Sequence, residues 1–161
     1  MQKLSTSDFS CIVKHTPLVS IDLIIGDPEG KILLGKRNNN PAKGYWFVPG
    51  GRVLKDEDFG EAFERITRSE TGLVLKLHGS DFAGVYQHIY PGDNVDDDPT
   101  FSTHYIVLAF RIALAGAVRN LPKEQHSEYR WASVDEILTD PMVHRNTKNY
   151  FNGFSLFSGK P

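Results

Sequence analysis

Apolar and polar positions along this chain follow two rhythms, and the change between them predicts its elements. Residues 18–25 form a β-branched, apolar run interrupted by the polar Ser20 and Asp22. The Gly26-Asp27-Pro28-Glu29-Gly30 cluster reads as a turn, and the apolar pattern returns over 31–36 as a second strand. Residues 45–48 give a short strand ended by Pro49-Gly50-Gly51, 101–113 the longest strand, and 128–132 a late one. Between them the period becomes helical. Projected at about 100° per residue, Phe59, Ala62, Phe63 and Ile66 share one face. Residues 134–138 and 146–151 read as short helices, 93–99 as an exposed acidic loop, and 155–161 as a loose tail. Strands alternating with one strong helix, without repeats or an interdomain linker, predict an α/β/α sandwich around a mixed β-sheet, a single domain over 1–161.

Composition narrows the function classes without choosing one. A chain of 161 residues, 40% apolar and 24% charged, suits one domain with a sizeable core. Eighteen basic against twenty acidic side chains leave a net charge of −2, which argues against a dedicated nucleic-acid binder but permits a local basic pocket for a phosphorylated small molecule. Cys11 is the only cysteine, so an intrachain disulfide is ruled out and a zinc cluster is not expected. No signal peptide and no apolar run of membrane-spanning length is visible, and a cytoplasmic location is the default expectation.

The central helix carries the chemistry. Glu70 projects within roughly 30° of the centre of its apolar face. A carboxylate taken out of water needs a counter-charge, so a cation or an arginine is expected beside it. On spacing alone, a structural ion pair with Arg65 or another arginine serves as well as a metal. The wider pattern decides between them: Gly51, Glu57, Arg65, Glu70, Gly72 and Leu73 fall at the spacing of G-x5-E-x7-R-E-U-x-E-E-x-G-U, with U a bulky aliphatic residue. The segment thus resembles a Nudix box in which Ile66 and Ser69 stand where two glutamates are usual. The likeness extends to Ser20-Ile21-Asp22, Leu34-Gly35-Lys36-Arg37, the stretch from Gly44 to Arg52, and Glu124-Gln125-His126. In these segments the chain is similar to the GDP-mannose mannosyl hydrolases, a Nudix family lacking the same two acids.

That resemblance implies a mixed-sheet sandwich, Mg²⁺ as cofactor with Mn²⁺ as a substitute, and a homodimer with about 1–16 near its interface. It implies metal ligation by Glu70, the Gly50 carbonyl and the Gln125 side chain, oxygen donors that suit Mg²⁺; the missing Cβ of Gly50 also permits close backbone approach to a ligand. It implies His126 as general base, because imidazole as a class can be neutral and basic near pH 7. Arg37 and Arg52 are expected to clamp the diphosphate in guanidinium forks, with Tyr105 assisting. Asp22 is expected to face the sugar or a developing oxocarbenium charge, although a surface strand aspartate or a partner for Arg37 fits the pattern too. His88 is a supporting polar contact or simply a packed side chain. Leu4 and Phe9 belong to the nucleotide site, Phe9 by stacking on the base, although a plain amphipathic turn fits them equally. Arg65 is expected to order the box through Glu57 or Glu61.

The two missing acids bear on the reaction. Acid-rich Nudix sites hold several metals and activate water for attack at phosphorus. With Ile66 and Ser69 in place, the expectation is one metal, a diphosphate leaving group and water attack at the anomeric carbon with inversion, giving GDP and the free sugar from GDP-mannose or GDP-glucose. An ordinary pyrophosphohydrolase producing GMP and sugar phosphate is one alternative, and a non-catalytic nucleotide-sugar-binding domain is another. The stretch 92–99 and the chain after Tyr150 depart from the family pattern and bear on sugar choice.

Overall fold

A computed structural model describes residues 4–116, 118, 121–122 and 126–153. The elements run α1 (Thr6–His15), β1 (Leu18–Gly26), β2 (Ile32–Arg37), β3 (Trp46–Phe47), β4 (Gly50–Arg52), α2 (Phe59–Thr71), a 3₁₀ turn at Leu77–Gly79, β5 (Asp81–Tyr90), β6 (Thr103–Ala113), β7 (His126–Ala132), α3 (Val134–Thr139) and α4 (Arg145–Asn149). The mixed sheet flanked by helices is the expected sandwich. Its strand order is β3-β2-β1-β6-β5, with β4 added to β1 and β7 to β2. Among the described strands only β1 and β6 pair in parallel, in register from Leu18 opposite Tyr105 to Gly26 opposite Ala113.

Strand parity builds the layers. Ile21, Leu23 and Ile25 point to one face, where they bury Ala62, Phe63 and Ile66 of α2. Ile24 points to the other, joining Leu34, Trp46 and Val107 beneath Ile137, Val143 and Tyr150 of the C-terminal layer. Asp22 shares the parity of Ile24 and is therefore aimed at α4, not at α2. The first strand also changes partner along its length: β4 pairs it at Ser20–Asp22, whereas β2 meets it only at Gly26 opposite Ile32.

The long helix begins where its chemistry dictates. Asp58 accepts from the Glu61 amide at 2.8 Å while the Glu61 carboxylate accepts from the Asp58 amide, a reciprocal cap that satisfies two orphan donors. Phe59, expected on the buried face, is 51% exposed. It occupies the first helical position, a turn before Ala62, where the stripe meets the sheet.

Other expectations shift in detail. Gly50 and Gly51, read as the end of a strand, form a strand of their own, and 6–15 is a complete helix instead of a turn. The acidic loop is not simply exposed: Asn94 is buried and gathers it, accepting from the Asp96 and Asp98 amides and donating to the Asp98 and Phe101 carbonyls. Its other contacts reach outward, Asp93 accepting from the Ala42 amide at 2.7 Å and Asp96 from the Ser10 hydroxyl. The tail 155–161 lies outside the described residues. Among the described residues no helix is long and apolar enough to cross a membrane.

Phe63 is fully buried and meets Phe110 edge-on at 5.5 Å between ring centres. Phe63→Ala is expected to lower stability by about 3–5 kcal/mol, and Phe59→Ala by about 0.5 kcal/mol or less; urea unfolding of the two variants measures the contrast.

Candidate active site

Residues distant in sequence converge on one cleft of about 380 Å³. Asp22, Arg37, Gly50, Arg52, His88, Tyr105 and His126 line it, together with Phe9 from α1 and Ile66 and Ser69 from α2. Leu4 does not line the cleft and is half exposed. Gln125 lies outside the described residues.

Glu70 stands directly behind the wall, 1% exposed, its Oε2 3.0 Å from Nε2 of His126. The counterpart expected for this inward carboxylate is a cation or an arginine; among the contacts described it is a histidine. Arg65 is engaged elsewhere, gripping Glu57 through Nε at 2.6 Å and Nη2 at 2.8 Å while Nη2 also donates to the Arg52 carbonyl at 2.7 Å. That fork holds Glu57 well ionised, its pKa lowered chiefly by the arginine hydrogen bond.

His126 departs from expectation too. It is not a solvated loop residue but the first residue of β7, 5% exposed and registered opposite Arg37. Its ring lies against the α-carbon of Gly35, where a Cβ would stand 2.6 Å from both Cγ and Nδ1. Glycine in Leu34-Gly35-Lys36-Arg37 thus leaves the space that the imidazole fills. Among the described residues neither Nδ1 of His126 nor Oε1 of Glu70 has a hydrogen-bond partner, although both are buried.

Asp22 is held at both oxygens. Tyr150 donates its hydroxyl proton to Oδ2 at 2.6 Å, and Oδ1 packs against Gly50, where a Cβ would come within 2.6 Å. Burial pushes the carboxyl up to about 6, opposed by the Tyr150 hydrogen bond and the Arg37 charge and reinforced by the Glu70 charge. His88 is buried and driven down to about 3, first by desolvation and then by its neighbours His144 and Arg37, so it is a neutral imidazole at ordinary pH. Tyr150, the site residue that sequence reasoning misses, carries no readable signal, because its contact with Asp22 spans 128 positions.

The two arginines are backed by rings. The Arg37 guanidinium lies 5.1 Å from the centre of Phe47, whose ring stacks on His144 at 4.8 Å. Arg52 lies 4.1 Å from the centre of Phe9. Such stacking leaves the N–H edges of a guanidinium free for an anion. Burial raises the Tyr105 phenol, which faces both arginines. Opposite them the wall is poor in acid: Ile66 packs on Gly51, and the Ser69 hydroxyl donates to the Ile66 carbonyl at 3.1 Å.

Among the described residues no group of three or more His, Cys, Asp or Glu could hold a metal. A hard cation supported by one carboxylate and neutral oxygens is still compatible with this chemistry, because Oε1 of Glu70, without a partner among the described residues, is a buried acceptor in need of a donor or cation.

A family model described as NUDIX domain matches residues 16–152. The chain is 38% identical over 112 residues to the low-salt glycan biosynthesis protein Agl8 of Haloferax volcanii, covering 70% of this chain and 69% of that protein. It is 39% identical over 100 residues to an ADP-ribose pyrophosphatase of Methanocaldococcus jannaschii, covering 62% of this chain but only 53% of that one. A MutT protein structure from Methanosarcina mazei Go1 superposes with a TM-score of 0.68 at 24% identity, covering 86% of this chain and 94% of that one, a likeness of fold.

Two outcomes test this geometry. Gly35→Ala is expected to cost about 1–3 kcal/mol by overpacking the imidazole, whereas in a His126→Ala background, itself destabilised by loss of the buried Glu70 contact, the same change should cost little in chemical denaturation, since the clashing ring is gone. Asp22 binds its proton more tightly in the folded chain than unfolded. Its cost is therefore absent below about pH 4, grows as pH rises and is complete above about pH 6. Asp22→Asn should gain up to about 3 kcal/mol over the parent chain near pH 8, with the gain vanishing at pH 4 in unfolding curves recorded in chelator.

Proposed function

The chain belongs to the Nudix family, and within it we propose that it hydrolyses GDP-mannose to GDP and free mannose, with water attacking the anomeric carbon and inverting it. Membership makes it an enzyme acting on a nucleoside diphosphate derivative. The observation that carries the finer reading is the cleft wall, where Ile66 and a backbone-bound Ser69 stand in place of two acids, leaving Glu70 as the box carboxylate beside His126. The resemblance of Agl8 supports a role in glycan chemistry.

Each group then has a task. Arg37, Arg52 and Tyr105 hold the diphosphate and offset the charge it gains as the glycosidic C–O bond breaks, its electron pair leaving on the β-phosphate. Asp22 faces the anomeric centre, where positive charge develops. His126, which lines the cleft and contacts Glu70 through Nε2, is the base that takes the proton of the attacking water. This arrangement uses the carboxylate to orient and stabilise the imidazolium, as the third member of a hydrolytic triad does. Nudix hydrolases generally use Mg²⁺ or Mn²⁺; here Glu70 through Oε1, the Gly50 carbonyl and Gln125 would hold it, and it would supply further charge neutralisation to the departing diphosphate. A homodimer and a base-stacking role for Phe9 belong to the same proposal.

The ADP-ribose pyrophosphatase likeness favours a second reading, attack at phosphorus. Hydrolysis of GDP-mannose with Mg²⁺ in ¹⁸O-labelled water separates the two. Label in free mannose with unlabelled GDP is the expected outcome; label in GMP or mannose phosphate overturns it, and no turnover with retained binding returns the chain to a nucleotide-sugar sensor. His126→Ala should lower kcat by about 10²- to 10⁴-fold with KM little changed, measured by GDP release.

A further inference from the structure

Among the contacts of the C-terminal layer with the cleft lining, the Tyr150 phenol lies beneath Asp22 and His88. We propose that Tyr150 is a positioning residue, which holds the Asp22 carboxylate and the His88 imidazole in one fixed arrangement toward the sugar; the inference rests on the reading of Asp22 given above.

The geometry supports it in three steps. Tyr150 is 3% exposed and does not line the cleft, so it acts through another group. Its hydroxyl has one proton, and the 2.6 Å contact with Oδ2 of an acceptor-only carboxylate uses it. Toward Nε2 of His88, at 3.4 Å, the same oxygen can then only accept, which selects the Nε2–H tautomer of that neutral ring and leaves its Nδ1 as an acceptor. The result is a directed chain, His88 to Tyr150 to Asp22. Gly50 closes on the other carboxylate oxygen, so Asp22 is located from both sides.

The phenol is itself held firmly. Tyr150 follows α4, its amide donating to the Thr147 carbonyl at 3.2 Å, and its ring meets Tyr86 edge-on at 4.6 Å. Burial drives its own ionisation well above the usual phenol range, with the Asp22 charge adding to the effect, so the hydroxyl keeps its proton. A hydrogen bond from this group to a charged carboxylate is among the stronger kinds.

Tyr150→Phe keeps the ring and its packing and removes only the hydroxyl. With GDP-mannose as substrate, kcat is expected to fall about 10- to 100-fold, while KM and the inhibition constant of GDP stay close to those of the parent. In an Asp22→Ala background the same change should cost about threefold or less, because there is no carboxylate left to orient. An unchanged kcat, or an equal penalty in both backgrounds, overturns the inference. Should the parent chain prove not to cleave GDP-mannose at carbon, the functional reading falls separately. Crystal structures of the parent and Tyr150→Phe then decide this one: an Asp22 carboxylate turned from its parent position supports the clamp, and an unmoved one removes it.

Discussion

The contact between Glu70 and His126 is the constraint around which the rest of the site is arranged. It joins the middle helix to the last strand across 56 positions, with both side chains almost fully buried. Such a pair is stable only when each partner is desolvated in the right place, since breaking it strands a polar group in the core. The β2–β7 register must bring His126 opposite Arg37, Gly35 must leave the space for its ring, and the cap at Asp58 must start α2 at the right residue. Arg65 and Glu57 then fasten β4, which ends at Arg52, to the same helix.

Charge is sorted by this frame. The guanidinium groups of Arg37 and Arg52 are backed by Phe47 and Phe9, while Asp22 lies on the cleft floor and Glu70 is buried behind the wall. A substrate with a dianionic diphosphate and a neutral sugar matches that division on the proposed reading. Ile66 against Gly51 keeps the helix-side wall apolar where a further carboxylate would add repulsion to an incoming phosphate.

The C-terminal layer supplies support that the box does not contain. His144 stacks on the ring that backs Arg37, and Tyr150 grips Asp22 from below. Asp22 sits in an environment that disfavours its charge, so the fold carries it at a cost in stability. Residues kept against stability are characteristic of functional sites, where selection acts on chemistry above a threshold of folding.

Much of the molecule is legible in the amino-acid order alone. Helical period and turn residues mark α2, β1 and β6, though not β5, and box spacing singles out Glu70, Arg65 and Gly51, because local propensity, periodicity and fixed spacing are properties of neighbouring residues. Phe59 misleads, since a helical projection assigns a face without knowing where the sheet begins. What tertiary structure decides is which distant groups meet. His126 has the local pattern of a loop residue and is a buried strand residue, because its burial comes from Gly35 and Glu70, 91 and 56 positions away. Asp22 is an odd polar residue in an apolar strand; only the packing of α4 across the sheet gives it Tyr150 as a partner. Pairing over such separations is set by sheet register and layer packing, which depend on the whole chain at once.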